Sequence, residues 1–135
     1  MNPIEEGTEL SLDFRKLEKV AETGQAVLPV VLQDAGTGDV LFVAYANQEA
    51  LSESLRTRTA VLWSTSRNEL WRKGASSGDV LELLEIRVNC EQNSLLYRVR
   101  PRGGGVCHTR DAAGKTRKSC YYRRLRASGE ELEFS

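Results

Sequence analysis

The sequence predicts an α+β fold: a small single domain of mostly antiparallel strands with one or two helices. Three observations predict it. At 135 residues the chain suits one domain. Short apolar runs bounded by turn residues recur along it, as strands require. Only two stretches carry the spacing of a helix with one apolar face. Hydrophobic residues make up 40% and charged residues 28%, the balance of an ordinary globular protein.

The elements follow in order. Leu10, Phe14, Leu17 and Ala21 predict a helix over residues 9–23, with Gly24 just past its end. Residues 27–33 form a short apolar run, and Pro29 inside it points to an edge strand. The polar run 34–39 is a turn by composition, and residues 40–46 return as the second strand of a hairpin. Asn47 caps a helix over 48–58, with Leu51 and Leu55 on one face. Residues 59–64 read as a strand, and the polar, glycine-containing 68–79 as a loop. Residues 80–90 and 94–100 are two strands joined by a tight polar turn, and 119–125 is a last short strand. This divides the chain into a helical extension (1–25), a central domain (26–126) and a C-terminal tail (127–135).

Charge is balanced overall, with 19 basic and 19 acidic residues, but unevenly spread. Residues 1–24 hold six acids against three bases, whereas 98–126 hold ten bases and one acid, Asp111. Such an end suits a phosphorylated metabolite, a nucleic acid or an acidic partner, and equally a solvated face. The acidic N-terminus lacks the apolar core of a secretory signal, and no apolar run is long enough for a bilayer, so a cytoplasmic location is expected.

The three cysteines, Cys90, Cys107 and Cys120, are too few and odd in number for a disulfide framework. Their number matches the three protein ligands of a catalytic zinc. Their spacing lacks a paired-cysteine knuckle and by itself favours buried free thiols. The only histidine, His108, adjoins Cys107. On the 80–90 strand, alternation puts Leu84, Ile86, Val88 and Cys90 on one face and Arg87, Asn89 and Glu91 on the other. If extension persists to Asn93, then Asn89, Glu91 and Asn93 present three side-chain oxygens on one side. A hard cation accepts such ligands but prefers more carboxylates; the other reading is a polar hairpin turn. Gly103, Gly104 and Gly105 precede Cys107 and allow close backbone approach to a phosphate or metal site, or simply a turn. Trp71, Arg72, Lys73, Ser76 and Ser77 combine an aromatic with cations and hydroxyls, as a nucleotide pocket needs. A surface loop with Trp71 packed inward has the same composition.

Six segments resemble the phosphoribosyl-AMP cyclohydrolase family: VLQDAGTGDVL (31–41), AYANQEAL (44–51), WSTSR (63–67), LWRKGASSG (70–78), GGVCHT (104–109) and SCYYR (119–123). The resemblance runs over about residues 26–125. It implies an intertwined homodimer in which Cys90 of one chain joins Cys107 and Cys120 of the other around zinc. It also implies hydrolysis of the N1–C6 bond of N1-(5-phosphoribosyl)-AMP, a phosphorylated nucleotide, in histidine biosynthesis. His108 is then the candidate acid or base, or an outer partner of the metal. Arg67, Arg72 and Lys73 become phosphate candidates, Ser76, Ser77 and Gly78 neutral donors, and Trp71 a stacking group or wall.

Two features depart from the family pattern. Where the family carries D-C-D-x-D around the first zinc cysteine, with aspartates that bind magnesium, this chain has Asn89-Cys90-Glu91-Gln92-Asn93. One negative charge replaces three, so magnesium affinity is expected to fall. Between Cys107 and Cys120 the family is shorter, and residues 110–118 form a basic insertion that either contacts a substrate phosphate or stays solvated. Two alternatives to the cyclohydrolase follow. One is a paralogue using zinc alone on another purine-like or N-heterocyclic substrate. The other is a zinc-stapled dimeric nucleic-acid-binding module, disfavoured because no recognised nucleic-acid motif is present.

Overall fold

The computed structural model describes residues 2–75, 78–103 and 105–135. Its elements are α1 (Pro3–Glu6), α2 (Lys16–Glu22), β1 (Leu28–Asp34), β2 (Val40–Ala46), α3 (Gln48–Thr57), β3 (Val61–Ser64), β4 (Glu69–Arg72), β5 (Leu81–Val88), β6 (Leu95–Pro101), β7 (Arg123–Leu125) and β8 (Leu132–Phe134). The α+β class is as the sequence predicts.

One four-stranded sheet, in the order β2-β1-β6-β5, carries the core. β1 pairs antiparallel with β2 and parallel with β6, and β5 pairs antiparallel with β6. Its inner face buries Val30, Leu32, Ala44, Leu95, Tyr97 and Val99, and α3 adds Ala50. The hairpin β3–β4 joins the free edge of β5 through Ala60 N–H to Leu81 C=O (2.9 Å) and Leu83 N–H to Arg58 C=O (2.9 Å). A third pair, β7–β8, is separate.

Helix α3 begins as predicted, with the Asn47 carboxamide oxygen accepting from Ala50 N–H at 2.9 Å. Its buried face, however, is Ala50 and Ser54 with Leu51 packed beside them, while Leu55 is exposed. Ser54 is buried because it closes a backbone gap. Its hydroxyl donates to Val61 C=O (2.8 Å) and accepts from Val61 N–H (2.9 Å), holding the start of β3 against the helix.

Several local expectations are corrected. Strand β1 is central, not an edge. Pro29 is tolerated because the ladder to β6 begins one residue later, at Val30 opposite Leu95. The helix expected over 9–23 shrinks to α2. Glu9 instead bridges to Glu131, and Leu12, Phe14 and Leu17 remain exposed, with no apolar face to cover them. The supposed loop 68–79 contains β4, which pairs Leu70 with Trp63 and Trp71 with Leu62. In β5 a bulge between Leu83 and Glu85 breaks the alternation. Leu83 and Ile86 therefore face the core, and Leu84, Val88 and Cys90 are exposed. The strand expected over 119–125 starts only at Arg123, because Ser119 and Cys120 bond instead to the backbone of Val40 and Leu41. The tail 127–135 contains β8, which the sequence reading lacked.

Ser54→Ala removes both bonds to Val61 and leaves a buried N–H and C=O unpaired. The expected cost is about 1–3 kcal/mol, read as a lower urea midpoint with an unchanged denaturant slope.

Candidate functional site

The basic insertion folds into a finger. Arg110 bridges to Thr116, and the Asp111 carboxylate accepts from Ala113 N–H and Lys115 N–H, both at 2.9 Å. Gly114, with φ of +78°, completes the turn. At the stem Arg117 N–H donates to Thr109 C=O (3.1 Å), while Arg117 C=O accepts from Val106 N–H (3.2 Å) and Cys107 N–H (3.0 Å). Gly105 is needed at this crossing: a Cβ there would come within 2.6 Å of Thr116 O and 2.7 Å of Arg117 O.

Closing the finger brings its ends together. Cys107 is buried, and its sulfur lies 3.0 Å from the Thr109 hydroxyl. Cys120 is fixed by its own N–H, which donates to Leu41 C=O at 2.8 Å. The Cys120 thiol lies close enough to Cys107 for the two to influence each other's ionisation. Burial of its sulfur pushes the Cys120 thiol up to about 12, and the adjacent Cys107 adds to the rise while Lys73 opposes it. Burial also raises Tyr121, and the neighbouring Cys120 adds to that rise. The Lys73 ammonium lies 5.6 Å from the Trp71 ring centroid and 5.9 Å from that of Phe42. The segment thus has two soft donors, with a cation on the Trp71 and Phe42 rings near enough to act on Cys120 through its charge.

Cys90 is not part of this cluster. It sits in the β5–β6 turn, beyond the Leu95 end of β6, which lies beside Val30. Cys120 lies at Leu41, near the other end of β1. At strand spacings of roughly 3.3 Å per residue and 4.8 Å per strand, the two are separated by roughly 10 Å in each direction. Among the described residues no group of three His, Cys, Asp or Glu side chains converges on one point.

Extension does not persist to Asn93. The chain turns after Val88, with Gln92 at φ of +56°. Asn89, Glu91 and Asn93 still meet, but as a hydrogen-bonded ring. The Asn89 amide donates to the Asn93 carboxamide oxygen at 2.6 Å, and the Asn93 amide donates to the Glu91 carboxylate at 3.1 Å. The Asn89 oxygen accepts from Asn93 N–H and Ser94 N–H, both at 2.9 Å.

The nucleotide-pocket candidates scatter. Lys73 lies over the Trp71 and Phe42 rings, and Trp71 packs against Phe42 with ring centroids 6.0 Å apart. Arg72 turns to Glu53 at 3.2 Å, and Arg67 leans on Glu69 at 3.6 Å. Gly78 lies away from the thiols, beside Thr57 and Arg102. Ser76, Ser77 and Gly104 lie outside the described residues. His108 has an exposed ring whose Nε2 meets the Glu5 carboxylate. Thr109, Phe42 and Tyr121 were missed; only Thr109, two residues past Cys107, carried a local signal.

The basic C-terminal part is largely neutralised within the chain. Arg98 pairs with Glu85, Arg100 and Arg102 with Glu82, Arg117 with Glu6, Lys118 with Asp34 and Asp39, and Arg124 with Glu133. Among the described residues no helix is long and apolar enough to cross a membrane.

Comparison with known proteins agrees with this framework. A family profile described as Phosphoribosyl-AMP cyclohydrolase matches residues 42–126. The phosphoribosyl-AMP cyclohydrolase of Bordetella parapertussis is 43% identical over 80% of this chain and 76% of its own length. That of Rhodopseudomonas palustris is 42% identical over 98% of this chain and 81% of its own. The histidine biosynthesis bifunctional protein HisIE of Thermus thermophilus is 44% identical over 82% of this chain, which spans only 48% of that protein. The chain is a hydrolase of the cyclohydrolase class. Within that class it belongs to the phosphoribosyl-AMP cyclohydrolase family.

Gly105→Ala forces the finger stem away from the 105–107 backbone. The expected result is a loss of roughly 1–3 kcal/mol in stability. Hydrogen exchange should also show selective loss of protection at the Val106 and Cys107 amides.

Proposed function

We propose that the chain is a zinc-dependent enzyme of histidine biosynthesis that opens the adenine ring of N1-(5-phosphoribosyl)-AMP at the N1–C6 bond. The observation that carries this reading is the pairing of Cys107 with Cys120 beside Lys73, in a chain of this family. Two adjacent thiols suit a soft divalent cation, which favours their ionised forms. Cys107 and Cys120 would hold zinc, and Cys90 of a second copy would complete the set, since a chain's own Cys90 lies at the far end of the sheet. Zinc held there supplies Lewis acidity that makes water nucleophilic near neutral pH.

The remaining roles fall to the chain's own residues. His108 delivers a proton to the departing ring nitrogen. Trp71 is a wall of the site rather than a free stacking plate, because Phe42 already packs against it. Lys73 supplies positive charge at the thiols. For phosphate, Arg67 and Arg72 pair with Glu69 and Glu53, and the finger adds Arg110 and Lys115 as further candidates. They line a cavity of about 1100 Å³ that opens between the finger and the β7–β8 hairpin.

Magnesium does not suit the Asn89, Glu91 and Asn93 set. Two of the three side chains are amides whose N–H groups already serve as donors within the turn, and only one carboxylate remains. The same altered turn favours a second reading, a paralogue that uses zinc alone on a related N-heterocycle.

Metal analysis combined with turnover of phosphoribosyl-AMP, with and without added Mg²⁺, tests both points. Bound zinc and ring opening that Mg²⁺ does not change are expected. Replacing Asn89, Glu91 and Asn93 together by aspartate should create a Mg²⁺-dependent rise in melting temperature that the parent chain lacks. Full zinc loading without ring opening would transfer support to the paralogue, and activity that rises steeply with Mg²⁺ would contradict the reading of the turn.

A further inference from the structure

Residues 2–12 lie outside the matched family profile, yet the first of them are bound tightly to the segment that carries the thiols. Arg123 donates to Ile4 C=O (2.7 Å) and Gly7 C=O (2.8 Å), and the Tyr122 hydroxyl donates to Glu5 C=O (2.7 Å). Glu6 takes a two-pronged ion pair from Arg117, at 2.7 and 2.9 Å. Farther on, Leu132 N–H donates to Thr8 C=O at 2.8 Å, and Glu9 bridges to Glu131. The strap is therefore gripped on both sides of Glu5 and at the Glu5 backbone itself.

What this fixation presents is one carboxylate. The Glu5 side chain is turned to Nε2 of His108, the chain's single histidine. An isolated ion pair at an exposed ring is weak, because water competes and both side chains lose freedom. Here the backbone beneath Glu5 is already immobilised, so the side chain alone remains to be ordered. A carboxylate accepts and cannot donate, so between the two neutral tautomers it selects the one with hydrogen on Nε2 and leaves Nδ1 as the acceptor.

We propose that Glu5 is a positioning residue: the strap delivers its carboxylate to His108 and thereby sets the tautomer and aim of the imidazole. The catalytic consequence rests on the reading of His108 as the group that protonates the leaving nitrogen: Nδ1, left as an acceptor, would take a proton from the attacking water and pass that same proton to the departing ring nitrogen. The tautomer itself does not. The strap also explains why Arg117 and Tyr122 are arranged as they are. The Arg117 guanidinium lies 4.0 Å from the Tyr122 ring centroid, and its side chain is only 11% exposed. The strap, the finger and the β7–β8 hairpin thus meet at one cation.

Nitrogen-15 NMR of the zinc-loaded protein at alkaline pH tests the assignment, because this sequence holds one imidazole. The parent chain should show a ring predominantly protonated on Nε2, and Glu5→Ala a mixture of tautomers with an unchanged fold. Glu5→Gln, which keeps the shape and loses the obligate acceptor, should resemble Glu5→Ala. In turnover both variants should lose roughly tenfold in kcat with KM within about twofold. Glu6→Gln frees the strap from Arg117 and should shift the tautomer balance in the same direction. Identical ring signals in the parent, Glu5→Ala and Glu5→Gln would overturn the proposal, whatever the substrate proves to be. A tautomer change with no change in kcat would instead count against the catalytic role of His108.

Discussion

The site depends on one backbone closure. The Arg117 carbonyl accepts from Val106 and Cys107, and the Arg117 N–H reaches Thr109. Without it, the residues between Cys107 and Cys120 would be a loop whose ends need not meet. With it, the insertion becomes a hairpin whose stem fixes Cys107, and the bond from Cys120 to Leu41 fixes the other end to the sheet. The same residue's side chain holds Glu6 and stacks on Tyr122, so the strap rests on the closure as well.

The 110–118 segment and the 89–93 turn, the two segments in which the sequence reading expected departures, therefore have different physical consequences. The connection between Cys107 and Cys120 closes on itself as a finger whose stem ties Arg117 to Val106 and Cys107. The altered triplet changes the chemistry of its turn. Where three carboxylates would repel one another and need a cation between them, amide N–H groups fill that role here, and the turn is closed by its own hydrogen bonds.

Much of the fold was legible because it is local. The hairpin of β1 and β2, the Asn47 cap and the β5–β6 turn follow from alternation and turn chemistry within a few residues. The failures involve partners distant in sequence. Pro29 reads as an edge signal because the sequence does not show that β6 starts pairing only at Val30. Residue 9 leaves the helical pattern because it bridges to Glu131 at the C-terminal hairpin. The bulge in β5 reverses a face that simple alternation assigned with regularity.

The site was legible in its residue types rather than in its arrangement. Cys107 and Cys120 come near enough to influence each other, whereas Arg67 turns to Glu69, Arg72 to Glu53 and Lys73 to the Trp71 ring. Strand alternation separates Arg72 from Trp71, and Glu53 on α3 then captures its charge. The basic end predicted a phosphate or nucleic-acid surface, but the acids that neutralise most of it come from β1, β5, β8 and the strap, which charge counting along the chain cannot reveal.

Mixing two inactive variants tests the central claim most directly, namely that one zinc site draws thiols from two chains. Cys90→Ser keeps Cys107 and Cys120, and Cys107→Ser keeps Cys90. Each alone should lack both zinc and turnover. Co-refolded, they should form hybrid dimers with one intact site, restoring about a quarter of parental activity if pairing is statistical. Hybrid dimers verified by mass spectrometry that recover neither zinc nor turnover would contradict the account, as would full zinc binding by Cys90→Ser alone.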